Sequence, residues 1–122
     1  VAGACLNPID VALGDQVSGN TSDFTDVDDN LSQCTAYTGD VAWLFTPPAV
    51  GSYCVLYDTQ MRSSSMTARI GCDNQQAEIG CSENGSLAFQ GDPISPVLLI
   101  IGADPNDEQG SFSFEIIEGV CP

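Results

Sequence analysis

In VAWLF, residues 41–45, every second side chain is large and apolar, and the same alternation returns through most of the chain. Successive side chains of an extended strand point to opposite faces, so Val41, Trp43 and Phe45 would share one face. IDVAL aligns Ile9, Val11 and Leu13 in the same way, and YCVLY aligns Tyr53, Val55 and Tyr57. Met66, Ala68 and Ile70 alternate further on, as do Leu87 and Phe89, and then Phe112, Phe114 and Ile116 in SFSFEII. Each of these segments reads as a half-buried strand. PVLLII, residues 96–101, is apolar on both faces and reads as a central strand. Nothing carries the period of a long amphipathic helix.

Turn signals separate these runs: Gly39-Asp40, Pro47-Pro48 with Gly51, Asn84-Gly85, Gly91-Asp92-Pro93, and ADPNDEQG before the last strand. Seven or eight short strands at this spacing predict an all-β fold, an antiparallel β-sandwich with jelly-roll or Greek-key connections. The longest irregular stretches are residues 19–40, 59–65 and 102–110, and a local function is expected there. No internal repeat or linker-like segment is present, and the run Ser63-Ser64-Ser65 reads as a loop.

At 122 residues and 43% hydrophobic, the chain fits one domain spanning residues 1–122. Such a domain buries roughly two thirds of the surface its unfolded chain exposes. The longest apolar run, VLLII, is of strand length, well short of the roughly 20 residues that cross a bilayer. The expectation is a secreted or cell-surface chain with no membrane span, from which any signal peptide has been removed. A net charge of −15, with two arginines and no lysine, opposes nucleic acid as a partner, because that affinity comes largely from phosphate neutralisation. Anionic membrane surfaces are disfavoured for the same reason. The excess of carboxylates points instead to cation binding, a salt- or calcium-rich setting, or solubility.

Six cysteines accompany no histidine, and CxxC spacings are absent. An even count without metal-ligand spacing reads as three disulfides and an oxidising compartment. A lipid on Cys5 of VAGAC would leave five other cysteines, an odd number, and is set aside.

The order of elements resembles a known family. An early cysteine and strand, ACLNPIDVALGDQVSGNT, is followed by an acidic stretch to a cysteine and by GDVAWLFTPPAVGSYCVLYDT. A pair of GC dipeptides, an apolar strand and a Gly-led final strand, GSFSFEI, come next. Together these look like the bacterial pre-peptidase C-terminal domain, in its cysteine-rich secreted and surface form, over residues 5–121. The resemblance implies a non-catalytic, jelly-roll-like sandwich of the kind appended to secreted hydrolases, implicated in secretion, surface retention or substrate binding, and in some cases binding calcium. Two departures stand out: these residues include no enzyme, and QMRSSS stretches the segment after YDT. The first favours a structural role of the chain's own over an accessory one.

The resemblance also implies a bridge between Cys72 and Cys81, which flank a nine-residue step between adjacent strands. Three pairings are open for the other four cysteines. Cys5 with Cys34 and Cys54 with Cys121 is the expectation, and Cys5 with Cys121 is the main rival because sandwich termini often lie close. All are read as staples rather than redox centres.

Without histidine, Ser-His-Asp and Cys-His arrangements are impossible, and GxSxG is absent. Glycoside hydrolysis by paired carboxylates needs two acids held about 5 to 9.5 Å apart across a cleft, usually on a larger scaffold. The chain is therefore read as non-enzymatic. SDFTDVDDNLSQC, residues 22–34, places Asp26, Asp28 and Asn30 at the spacing of a calcium loop's first half. Leu31 stands where that loop needs Gly, and Tyr37 where it needs a bidentate Glu, so the motif is not that one. A different calcium site, built from Asp23, Asp26, Asp28, Asp29 and Asp40, is weighed against a solvated loop. DPNDE, residues 104–108, is a lesser candidate.

Asn20, Asn30 and Asn84 each begin an N-glycosylation triplet in a predicted loop. Trp43 and the tyrosines offer a sugar-stacking platform, but Trp43 shares its face with Val41 and Phe45 and is assigned to the core; Tyr37 is the better exposed aromatic. The leading functional expectation is a non-catalytic extracellular structural or adhesive protein, the repeating subunit of a filament. Its polymer would form by inserting residues 1–13 into a neighbour's sheet, the competing reading being an ordinary first strand. A calcium-dependent module with a glycan or cell-surface partner is the alternative, and an accessory secretion domain of a hydrolase the third.

Overall fold

The computed structural model describes residues 8–20, 38–59, 64–70, 78–103 and 110–122. These residues contain no helix, hence none long and apolar enough to cross a membrane. Their nine strands are β1 (Ile9–Val11), β2 (Gln16–Asn20), β3 (Thr38–Phe45), β4 (Gly51–Thr59), β5 (Ser64–Arg69), β6 (Glu78–Ser82), β7 (Ser86–Gly91), β8 (Val97–Ala103) and β9 (Ser111–Glu118). A five-stranded sheet has the order β1-β3-β8-β5-β6, and a four-stranded sheet the order β2-β9-β4-β7. All neighbours are antiparallel except β1 and β3. Along the chain each strand lies in the opposite sheet to the one before it, except β6, which stays beside β5.

The two sheets pack face to face because the alternating segments supply one apolar face each. Val41, Trp43 and Phe45 of β3, Met66 and Ala68 of β5, and Leu99 and Ile101 of β8 meet Tyr53, Val55 and Tyr57 of β4, Leu87 and Phe89 of β7, and Phe112, Phe114 and Ile116 of β9 in one cluster. Aromatic rings join the layers. Trp43 lies edge-on to Phe112 and Phe114, at centroid distances of 5.3 and 4.7 Å, and Phe45 lies edge-on to Tyr53 at 5.4 Å. Each such pair contributes about 0.5–1.5 kcal/mol beyond the area it buries.

β8 is buried on both faces, as its sequence predicts. Val97, Leu99 and Ile101 face the main cluster, while Leu98 and Ile100 form a second cluster with Ala42 on the sheet's other side. Ser65, Thr67 and Arg69 of the neighbouring β5 are buried as well, Arg69 to 2% exposure. Arg69 stands opposite Glu78 in the β5–β6 register.

Two strands escape the sequence reading. β2, QVSGN, has a single large apolar residue, and in β6, EIGCS, Ile79 is among the exposed hydrophobics, so neither shows a buried alternation. β6 instead lies close over β7: a Cβ on Gly80 would sit 3.1 Å from the Ala88 carbonyl oxygen. Three further expectations are corrected. Ser64 and Ser65 are not loop residues but open β5, where Ser65 is buried. Gly39-Asp40 is not a turn but part of β3, where the register with β8 shifts between Gly39 and Val41, a bulge that accommodates turn-type residues without ending the strand. Ile70 does not continue the buried row of Met66 and Ala68, because β5 ends at Arg69 and Ile70 is exposed.

Cys54, in the middle of β4, is bonded to Cys121, with Cα atoms 5.2 Å apart. This excludes the rival pairing of Cys5 with Cys121. Cys81 is also disulfide-bonded, and Cys5, Cys34 and Cys72 lie outside the described residues. One disulfide of the three expected is thus described at both ends. The Cys54–Cys121 bridge spans 67 positions of chain. Replacing both residues by serine is expected to lower the unfolding free energy by about 4 kcal/mol, from the loop-closure relation. Urea unfolding of the double variant checks this, and an unchanged midpoint would show that the bridge does not restrain the unfolded chain.

Candidate functional site

Strand polarity separates the two ends of the sandwich. β2 ends at Asn20 opposite Ser111, and β3 begins at Thr38 opposite Ala103. The stretches 21–37 and 104–109, with Asp23, Asp26, Asp28, Asp29, Asp104, Asp107 and Glu108, therefore leave and rejoin the strands at one end. These carboxylates lie outside the described residues; of the predicted calcium set, Asp40 alone falls within a described strand, β3. Among the described residues no group of three or more acids and cysteines is gathered as a metal site.

A site the sequence did not single out lies on the outer face of the four-stranded sheet. Here β2, β9 and β4 pair in register, so Ser18, Ser113 and Asp58 form one cross-strand row and Gln16, Glu115 and Leu56 the next. These six side chains line a shallow depression of about 490 Å³, within the size range of small-ligand sites. The core rows force the arrangement: Val17, Phe114 and Tyr57 turn inward, and the alternation of a strand turns their neighbours outward. In β4 and β9 the signal was legible as the outward half of the alternation, but β2 was not read as a strand, and only strand pairing shows which residues share a row.

Chemically, the depression offers two carboxylates, an amide, two hydroxyls and one aliphatic side chain. Asp58 and Glu115 are diagonal neighbours, about 7–8 Å apart in a sheet of this kind. The surface suits hydrogen bonding to a hydroxyl-rich ligand.

The aromatic residues take other places. Trp43 is buried in the core, as expected, and Tyr53 and Tyr57 point inward with it. Tyr57 Oη donates to the Ser82 carbonyl at 2.8 Å, bridging the two sheets, and Tyr53 Oη donates to the Ala49 carbonyl at 2.6 Å. Tyr37 lies outside the described residues, as does Asn30. Asn84 is exposed in the β6–β7 turn, where its Oδ1 accepts from Ser82 Oγ at 2.7 Å. Asn20 is not in a loop: it closes β2, opposite Ser111, and is half-buried.

Searches against protein-family models, curated proteins and solved structures find no match. The likeness to the pre-peptidase C-terminal domain thus rests on its sequence motifs alone.

The two described asparagines differ in accessibility, which a glycosylation test can read. Secreted from a glycosylating host, the protein is expected to carry glycan at Asn84 and none at Asn20. Intact mass before and after glycosidase treatment, repeated on Asn84→Gln and Asn20→Gln, measures this; glycan lost only in Asn20→Gln would contradict the strand placement.

Proposed function

We propose that the chain is a secreted, non-catalytic jelly-roll module that serves as a structural or adhesive subunit at the cell surface, assembling by strand exchange. β2 to β9 support the jelly-roll assignment, with two four-stranded sheets ordered β2-β9-β4-β7 and β3-β8-β5-β6 and β1 added at an edge. The Cys54–Cys121 bridge supports folding in an oxidising compartment, and the bond on Cys81 agrees. The absence of histidine supports a non-catalytic role.

The observation that carries the assembly reading is the place of β1. It is three residues long, parallel to β3, and at the sheet's edge, with Ile9 opposite Trp43 and Val11 opposite Phe45. An edge strand this short is held by few hydrogen bonds, so the same segment of a second copy can take its place at the same register. The ordinary pairing in one sheet and the exchanged pairing then differ only in which copy supplies the strand.

Sedimentation and negative-stain imaging of the purified protein, with and without calcium and with and without residues 1–13, test this reading. Polymers that disappear when the segment is removed are expected, and a calcium requirement would assign the Asp23–Asp29 region and Asp40 as the metal site. A monomer in every condition would end the strand-exchange reading.

The outer depression favours a second reading, a module that binds glycan, with calcium as the cation in its acidic region. Titration with neutral oligosaccharides, with and without chelator, is expected to show binding that Gln16→Ala and Asp58→Ala each weaken by about 1 kcal/mol, the size of one hydrogen bond lost. Binding unaffected by both substitutions would place the ligand elsewhere. The pre-peptidase resemblance supports a third reading, an accessory domain of a secreted hydrolase.

A further inference from the structure

The corner between β6 and β7 carries the only Asn-Gly step of the chain, Asn84-Gly85. The side-chain amide of an asparagine is open to attack by the backbone nitrogen of the residue after it, and that residue's side chain governs how closely the nitrogen approaches. Asn7 precedes Pro8, whose nitrogen bears no hydrogen. Asn20, Asn30, Asn74 and Asn106 precede Thr21, Leu31, Gln75 and Asp107, each with a side chain crowding the nitrogen. Gly85 has no side chain to do so.

The fold makes that glycine necessary and leaves its neighbour open. Gly85 has φ +97°, in the left-handed region that other residues rarely adopt. Its carbonyl accepts from the Tyr57 amide at 2.9 Å, and the Ser82 carbonyl accepts from Tyr57 Oη at 2.8 Å, so one core tyrosine holds the corner at both ends. Between these anchors Asn84 is exposed, and its bonds run to the Ser82 hydroxyl: Oδ1 accepts at 2.7 Å and the Asn84 amide donates at 3.2 Å. Among the described residues, none accepts from the Gly85 amide. The attacking nitrogen, the amide carbon and water can therefore meet without any buried contact being broken.

We propose that Asn84-Gly85 is a self-modification site, converting to aspartate and isoaspartate unless a glycan occupies it. The Gly85 nitrogen attacks Asn84 Cγ; the N–Cγ bond forms, the Cγ–Nδ2 bond breaks, and ammonia leaves with the Gly85 proton. Water then opens the cyclic imide. Opening at Cγ gives aspartate on an unaltered backbone, whereas opening at the Asn84 carbonyl carbon routes the chain through Cγ as isoaspartate, adding a methylene to the backbone. Nothing is oxidised or reduced. A glycan on the Asn84-Gly85-Ser86 triplet is carried by Nδ2, the leaving atom, and either product destroys the triplet, so the two fates exclude each other. The isoaspartate linkage has a structural consequence, because Ser82 and Gly85 are both fixed to Tyr57. A longer path between fixed ends disturbs one of those two bonds and loosens the corner where β6 and β7 join the two sheets. The reaction involves neither β1 nor the outer depression's polar rows, so it is independent of strand exchange and of glycan recognition.

The full chain made in a non-glycosylating host and held warm at mildly alkaline pH tests this by peptide mass mapping. Conversion is expected at Asn84 ahead of every other asparagine, in the folded protein as well as in urea, with a shift to a more acidic isoform and both products present. The isoaspartate form is expected to unfold at a lower temperature than Asn84→Asp, which adds the same charge on an unaltered backbone. Asn84→Gln, whose amide carbon lies one methylene further from the Gly85 nitrogen, should abolish conversion at this position. From a glycosylating host, the fraction carrying glycan at Asn84 should stay unconverted, while Ser86→Ala, which lacks the triplet and keeps Asn84-Gly85, should convert. An Asn84 that reacts only in urea, or no faster than Asn20, overturns the proposal. So does glycosylated protein that converts at the rate of Ser86→Ala, and an isoaspartate form as stable as Asn84→Asp overturns the part given to Tyr57.

Discussion

The structure depends on burying two apolar faces that neither sheet can hide alone. Trp43 is the residue around which they meet: one side of its ring system is closed by Phe112 and Phe114 of the opposite sheet, and its own strand neighbours Val41 and Phe45 extend the contact along β3. Because side chains alternate, slipping any of these strands by one residue would turn its whole apolar row to solvent. Register is therefore set by burial. The cross-strand rows on the outside, including Gln16–Glu115–Leu56 and Ser18–Ser113–Asp58, are set as a consequence of what the inside requires.

The same requirement distributes the polar groups unevenly. The two connections richest in carboxylates join strands at one end, while at the other the β3–β4 and β7–β8 connections carry Pro47, Pro48, Pro93 and the exposed Val50 and Ile94. Tyr53 and Tyr57 show how the two functions of a side chain combine here. Their rings belong to the core, and their hydroxyls hold, respectively, the Ala49 loop and the Ser82 carbonyl of the facing sheet. None of the acids whose side chains are described is buried: Asp10, Asp15, Asp58, Glu83 and Glu118 are exposed, and Glu78, Asp92 and Glu115 are half-buried, so water screens much of this charge.

Much of the fold was legible from residues. Seven of the nine strands coincide with alternating or fully apolar runs, and VLLII was readable as a central strand because both of its faces are apolar. β2 and β6 were not legible, since β2 is an edge strand with one large apolar side chain and β6 turns its isoleucine outward. The candidate site was less legible still. Asp58 and Glu115 are 57 positions apart in the chain, and nothing local to either marks the row neighbours that pairing gives it. Arg69 was not singled out at all, yet it is buried at the end of β5, opposite Glu78.

By itself the sequence determined that this chain would be all-β, with Trp43 inside and β8 in the middle of a sheet, because side-chain period and burial are local consequences of composition along a strand. It also narrowed the chemistry, since a chain without histidine lacks the commonest general base. Only the tertiary structure decided that Cys54 joins Cys121, that β1 lies parallel at an edge, and which outward side chains share a surface. Those outcomes depend on which distant segments become neighbours. That choice is made by fitting two sheets together, and no single stretch of chain contains it.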